Sequence, residues 1–291
     1  MPIYDINGNP LDCVYDLSGN PLDSAYSIDG ELIWASTNTL KVMSFNVGSW
    51  YGYAKYIPDN ESDYYYSFFQ QLFSDLDTDM VGIQEYCNTM GGTKTATNLL
   101  NGLFGNLYAV NRKTNPTKAG RAISSKFALS DTAEINFDAQ TGEVRSFLTS
   151  TFRFRGKTIY FLTAHLALTA TEQEAQIQEL LDYVEDKEYW IMTGDFNVRF
   201  DSAEASGYSM LIEPFVDAGY NIANGADFGF LPTWCGSDST TDWHCIDNIF
   251  TSANIEITNA YTDDTKVTAY INGDFPYGID HIPLIAELEI H

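Results

Sequence analysis

The chain has 291 residues, 44% hydrophobic and 14% aromatic, which is enough for a large folded domain with a buried core and excludes a disordered polymer. Its 40 acidic and 15 basic residues give a net charge of −25; this excludes nucleic-acid binding through an overall basic field, so an anionic substrate has to be gripped by local cations or a bound metal ion. No apolar run approaches the ~20 residues of a membrane span, and Met1-Pro2-Ile3-Tyr4-Asp5 lacks the basic start and apolar stretch of a signal peptide, which predicts a soluble chain.

The chain opens with a repeat. Tyr4-Asp5-Ile6-Asn7-Gly8-Asn9-Pro10-Leu11-Asp12 returns 11 residues later as Tyr15-Asp16-Leu17-Ser18-Gly19-Asn20-Pro21-Leu22-Asp23, and again, degenerate, as Tyr26-Ser27-Ile28-Asp29-Gly30-Glu31-Leu32. Each unit sets a turn dipeptide between an aromatic and an aliphatic residue, the mark of a short β-hairpin. Three such units cannot bury a core alone. Residues 1–38, which run into the linker-like Ser36-Thr37-Asn38-Thr39, therefore read as an attachment or packing segment, with residues 1–34 open to an assembly partner. Residues 39–291 read as the main domain.

In that domain residues 40–47 predict a strand. Tyr65, Phe68, Phe69, Leu72, Phe73 and Leu76 fall on one helical face, and residues 80–84 predict a second strand, giving a β-α-β opening. Residues 147–154 and 158–166 read as a hairpin turning at Arg155-Gly156-Lys157. Thr171 with Glu174 reads as a capping box, opening a helix with the stripe Ile177, Leu180, Leu181 and Val184. Residues 189–193, 246–251 and 282–290 are further strands. The pattern predicts an α+β fold of two packed sheets flanked by helices. None of Cys13, Cys87, Cys235 and Cys245 makes a C-x-x-C pair, which argues against zinc; Cys235 and Cys245 bracket a polar loop and are either a disulfide or buried thiols.

Polar residues stand at the ends of these apolar strands, where a scaffold presents rigid groups to solvent. They are Asn46, Glu85, His165, Asp195 with Asn197, Asp247 with Asn248, and Asp280 with His281. Any one alone reads as a cap or a core hydrogen-bonding group. Six such positions in one chain read as a site. Ser44-Phe45-Asn46, Ile83-Gln84-Glu85, Thr163-Ala164-His165-Leu166, Gly194-Asp195-Phe196-Asn197, Ile246-Asp247-Asn248-Ile249-Phe250 and Ile279-Asp280-His281 resemble the ordered motifs of the endonuclease/exonuclease/phosphatase superfamily. That group includes DNase-I-like nucleases, abasic-site endonucleases, neutral sphingomyelinases and inositol-polyphosphate phosphatases.

The resemblance implies a four-layer α/β/β/α sandwich of two mixed sheets and a divalent-metal-dependent phosphodiesterase, DNase-like first of all. It makes Glu85 the principal ligand of Mg²⁺ or Mn²⁺, with Asn46 close by and Asp280 in the metal shell; hard oxygen donors suit these ions. Asp195 would orient or deprotonate the attacking water, and Asn197 would hydrogen-bond the phosphate. Asp247 would hold the imidazole of His281, which acts as general base or phosphate-binding cation. His165 would donate to a phosphate or leaving-group oxygen, and Arg145 resembles an arginine that contacts substrate phosphate.

Two features bear on substrate. Arg112, Lys113, Lys118, Arg121 and Lys126 crowd five of the 15 cations into residues 111–126, either a phosphate-gripping patch that includes Arg121 or a solvated loop and strand edge. Trp50, Tyr51, Tyr53 and Tyr56 follow Asn46, and Trp234 and Trp243 flank Asp247, as a stacking platform or as rim packing. Nucleic acid is the first substrate reading and a lipid headgroup or small phosphate ester the second. A catalytically silent binding module is the reading from another class.

Overall fold

The computed structural model describes residues 14–15, 21–22, 24–26, 32–35, 39–50, 62–90, 94–110, 120–140, 144–235, 243–263 and 280–291. In chain order the main elements are β1 (Thr39–Asn46), α1 (Ser62–Leu76), β2 (Met80–Tyr86), α2 (Ala96–Phe104), β3 (Asn106–Val110), β4 (Gly120–Ser125), β5 (Ser130–Asn136), β6 (Ser146–Phe154), β7 (Lys157–His165), α3 (Ala170–Val184) and β8 (Trp190–Asp195). A π-helical turn (Tyr208–Ile212) then leads into α4 (Glu213–Asp217), followed by β9 (Asn221–Ile222), β10 (Asp247–Thr251), β11 (Ile255–Thr262) and β12 (Leu284–Ile290).

The strands form two six-stranded sheets, β11-β12-β1-β2-β4-β3 and β9-β10-β8-β7-β6-β5. Each sheet has one parallel pair at its centre, β1 with β2 and β7 with β8, and the remaining pairs are antiparallel. A helix joins the members of each parallel pair, as a parallel connection requires. Period-two patterning then sorts the side chains. Leu40 and Val42 of β1, Ile159 and Phe161 of β7 and Ile191 of β8 fill the space between the sheets. Met43 and Phe45 pack outward against Phe69, Leu72, Phe73, Leu99 and Leu100 of α1 and α2. Leu162, Trp190 and Met192 pack against Ile177, Leu180 and Val184 of α3 and Phe215 of α4. The result is the expected four-layer α/β/β/α sandwich.

The hairpin of β6 and β7 closes as expected. Phe154 pairs with Lys157, and Arg155 (φ 51°) and Gly156 (φ 79°) form the two-residue loop with both φ positive that suits a twisted hairpin. The start of α3 differs from the sequence reading. The N-cap is Thr169, whose hydroxyl donates to Glu172 Oε2 (2.6 Å). The same Thr-x-x-Glu spacing recurs two residues before Thr171 and Glu174, and the earlier pair is used. Two short hairpins precede the domain, Val14–Tyr15 with Pro21–Leu22 and Ser24–Tyr26 with Leu32–Ala35, as the second and third repeat units predict; the first unit lies outside the described residues. Leu32–Ala35 approaches β6. Among the described residues no helix is long and apolar enough to cross a membrane.

Candidate active site

The four central strands end together at one edge of the sandwich. Asn46 closes β1, Glu85 lies near the end of β2, His165 closes β7 and Asp195 closes β8. The antiparallel neighbours begin at the same edge: Asp247 opens β10 opposite Asp195, and Arg121 in β4 stands opposite Gln84. Parallel centres flanked by antiparallel strands thus bring distant motifs to one place.

Asp195 is the hub and is buried. Its Oδ2 accepts from Asn46 Nδ2 at 2.9 Å and lies 3.4 Å from His165 Nε2 and 3.7 Å from His281 Nε2. Its Oδ1 accepts the backbone N–H of Asn197 at 2.9 Å. Asn197 takes a left-handed φ of 53° and donates Nδ2 to Leu166 O at 3.0 Å. Behind His281, Asp247 Oδ2 lies 2.9 Å from His281 Nδ1. Thr233 Oγ1 accepts the backbone N–H groups of Ile246 and Asp247 and so holds that carboxylate in place.

Glu85 reaches the site through a bulge. Val81, Ile83 and Tyr86 all pack on the helix-covered face, so the alternation slips by one residue between Ile83 and Tyr86. The pairing with β4 shifts at the same point, and Glu85 has φ 53°. A bulge re-aims the extra side chain, here toward Asp280, His281, Asn46 and Arg145, which all act on the Glu85 charge. Asp280 accepts from Trp234 Nε1 at 3.3 Å, and a Cβ built on Gly48 would stand 3.7 Å from Asp280 Oδ1.

Burial and neighbours set the charges. Burial raises the Asp195 carboxyl to about 7, with Asp247 adding to the rise and His281, Asn46 and the Asn197 N–H opposing it. Burial alone would lower His281, but Asp247, Asp195 and Asp280 carry it up to about 10. His165 is held well below 6.5 by burial, then by Arg145, Arg121 and His281. Glu85 is raised by burial and by Asp280.

The donor set fits a hard divalent cation. Glu85 and Asp280 are two carboxylates close enough for one to raise the other, with the Asn46 amide beside them. Asp195, Asp247 and His281 also place ligand atoms within 4.8 Å of one another. There, however, His281 Nδ1 and Asp247 Oδ2 already engage each other, and Asp195 accepts two hydrogen bonds. Asp247 Oδ1 is buried and receives no hydrogen bond from a described residue. Glu85 and Asp280, with the Asn46 amide, are a second set of oxygen donors that could take such an ion.

Arg121 and Arg145 are buried beside His165 rather than displayed. Arg121 Nη1 donates to Ser146 Oγ, which donates to Glu134 Oε1. Of the five cations, Arg121 and Lys126 lie at opposite ends of β4, and Lys126 pairs with Asp77 (2.8 Å) and Asp79 (3.3 Å); Arg112, Lys113 and Lys118 lie outside the described residues. Trp50 is no stacking platform, because it is fully buried against Phe69 and Tyr86 and donates Nε1 to Cys87 O. Tyr51, Tyr53 and Tyr56 lie outside the described residues. Trp234 and Trp243 are partly buried. Cys245 is a buried free thiol, with its pKa pushed up to about 12 by burial. The sequence reading missed Thr233 and took Trp234 only for a stacking or rim residue; Thr233 holds Asp247 and the Trp234 indole holds Asp280 from a segment with no strong periodicity.

The profile of the Endonuclease/Exonuclease/phosphatase family matches residues 43–268. The chain belongs to that family, whose members are generally hydrolases acting on phosphoester bonds and typically use divalent metals. The fold is similar to that of humanized D. rerio TDP2 carrying 14 mutations (17% identity, TM-score 0.64, 87% of this chain and 99% of that one). It is also similar to D. rerio TDP2 complexed with a single-strand DNA product (17% identity, TM-score 0.63, 86% and 98%). A third similar structure is the endonuclease/exonuclease/phosphatase from Bacteroides vulgatus (17% identity, TM-score 0.60, 87% and 99%). No curated protein matches the sequence.

Proposed function

We propose that this chain is a divalent-metal-dependent phosphodiesterase acting on nucleic acid. The observation that carries the reading is one carboxylate oxygen, Asp195 Oδ2, set within 4 Å of two imidazoles, one of them backed by the Asp247 carboxylate at 2.9 Å. Phosphoester cleavage needs a placed water, charge neutralisation on the phosphate and a donor toward the leaving oxygen. Asp195, ionised above about 7, orients the water and takes its proton. His281, kept protonated by Asp247, is the cation facing the phosphate. His165, neutral, donates a hydrogen bond to a phosphate or leaving-group oxygen. Asn197 keeps a second amide hydrogen for the phosphate, and Arg145 and Arg121 add positive potential from behind His165. Glu85, Asp280 and Asn46 would hold Mg²⁺ or Mn²⁺, which when bound supplies Lewis-acid neutralisation of the phosphate oxygens.

The similar fold with a single-strand DNA product supports nucleic acid as the first substrate. The second reading, a lipid headgroup or small phosphate ester, is favoured by the net charge of −25 and by the burial of Arg121 and Arg145, since small esters need no extended basic track. The test is Mg²⁺- and Mn²⁺-dependent turnover of plasmid DNA, single-stranded DNA, RNA, sphingomyelin and bis-p-nitrophenyl phosphate, with Asp195→Ala as the blank. Cleavage of DNA or RNA by the wild type alone supports the first reading. Turnover of the lipid or small ester without nucleic-acid cleavage replaces it with the second, and no turnover of any of them rejects both. Residues 1–38 are proposed as an attachment segment, so a chain lacking them should keep its turnover; loss of activity in a folded truncation would contradict that.

A further inference from the structure

Directly beneath the candidate site the space between the sheets stops being apolar. Ser44, Gln84, Thr163 and Thr193, one from each central strand, are fully buried there. Ser44, Thr163 and Thr193 stand two residues before Asn46, His165 and Asp195, and alternate residues share a face. Gln84 directly precedes Glu85 and its bulge. Gln84 Nε2 crosses between the sheets to Thr163 Oγ1 at 2.8 Å and also meets Gly82 O at 3.2 Å and Ser44 Oγ at 3.4 Å. Thr193 Oγ1 donates to Leu162 O at 3.0 Å and lies in the room left by Gly82, where a Cβ would come within 1.8 Å of it. Gln84 Oε1 is buried and accepts from no described residue.

An apolar side chain of similar volume at position 84 would fill the same space without placing a polar group between the sheets, so packing alone does not call for an amide there. We propose that this layer, centred on Gln84, is a positioning device that sets the distance between the Asn46–Glu85 end of one sheet and the His165–Asp195 end of the other. The inference rests on the phosphodiesterase reading, because only there does that distance have a chemical consequence. Apolar sheet contacts alone are non-directional, whereas the Gln84–Thr163 bond fixes β2 against β7. Misplacing reacting groups by ~1 Å can cost ~100-fold in rate.

The test compares Gln84→Met, Thr163→Val, their combination and Thr163→Ser. Turnover of bis-p-nitrophenyl phosphate at saturating Mn²⁺, thermal melting, Mn²⁺ affinity by calorimetry and the His165 imidazole NMR signals of metal-free protein are measured on each. Gln84→Met is expected to melt at or above the wild type, to shift the His165 signals and to weaken Mn²⁺ binding. Its kcat should fall on the order of 10-fold at little-changed KM, as for a modest misplacement. The double variant should be no slower than the slower single, and Thr163→Ser should recover most of the turnover. Wild-type kcat and unshifted His165 signals in Gln84→Met, or a Gln84→Met that does not fold, would overturn the proposal. If the wild type turns over no phosphoester, the functional reading fails, and the His165 signals and Mn²⁺ affinity still decide the positioning claim.

Discussion

Two walls of the site face the same Asp195 oxygen with the same residue type and opposite electrostatics. On one, His281 has Asp247 at 2.9 Å and the charges of Asp195 and Asp280 around it, and is carried up to about 10. On the other, His165 is backed by Arg145 and Arg121 and held well below 6.5. The difference comes from strand pairing. β10 and the segment before β12 bring carboxylates to one wall, and β4 and the approach to β6 bring guanidinium groups to the other. A protonated and a neutral imidazole can thus share one carboxylate at neutral pH, and each has its own task.

Removing either imidazole should break the comparison most severely. His281→Ala is expected to lower kcat by ~10²–10³-fold, the range for removing one group that stabilises transition-state charge, and His165→Ala by less, because a neutral donor supplies weaker stabilisation than a charged one. Steady-state turnover of bis-p-nitrophenyl phosphate checks the order, and equal losses would deny the two walls distinct roles. Next comes the loss of each wall's charge source. Asp247→Asn should lower the His281 pKa and slow turnover, while Arg145→Gln should raise the His165 pKa with a smaller loss; paired pH–rate profiles would show the shifts in opposite directions.

A pH effect on stability is expected to be smaller but specific. The folded pKa of His281, about 10, exceeds its ordinary 6.5. The stability it contributes is therefore fully present below pH 6.5 and is lost as pH rises through about 10. Thermal melts in chelator between pH 6.5 and 10 should decline more steeply for the wild type than for His281→Gln, and parallel curves would contradict the assignment. The smallest effect belongs to the opposite edge. Lys126→Ala removes partly exposed ion pairs to Asp77 and Asp79, worth about 1 kcal/mol or less, and should leave kcat unchanged.

The motif residues were legible because each stands at the end of an apolar strand whose periodicity shows. The parallel pairs β1/β2 and β7/β8 follow from that patterning and explain why Asn46, His165 and Asp195 meet. Other parts were not legible, for physical reasons. β4, Gly120–Ser125, is wholly buried yet carries an arginine and three residues of serine or glycine, so no hydrophobic period marks it. β5, Ser130–Asn136, is a largely exposed edge strand. The fate of Lys126 depends on strand direction, which places it away from Arg121. Trp50 resembles a rim aromatic until α1 closes over it. The bulge at Glu85 is a backbone event that Ile83-Gln84-Glu85 does not announce.

The most direct test is a ¹H–¹⁵N NMR titration of the imidazoles in metal-free protein. The account predicts that His281 keeps both ring protons to a pH near its folded value of about 10, while His165 stays neutral at pH 6.5 and below. Titration of both near 6.5 would contradict the charge-split site on which the proposed chemistry rests.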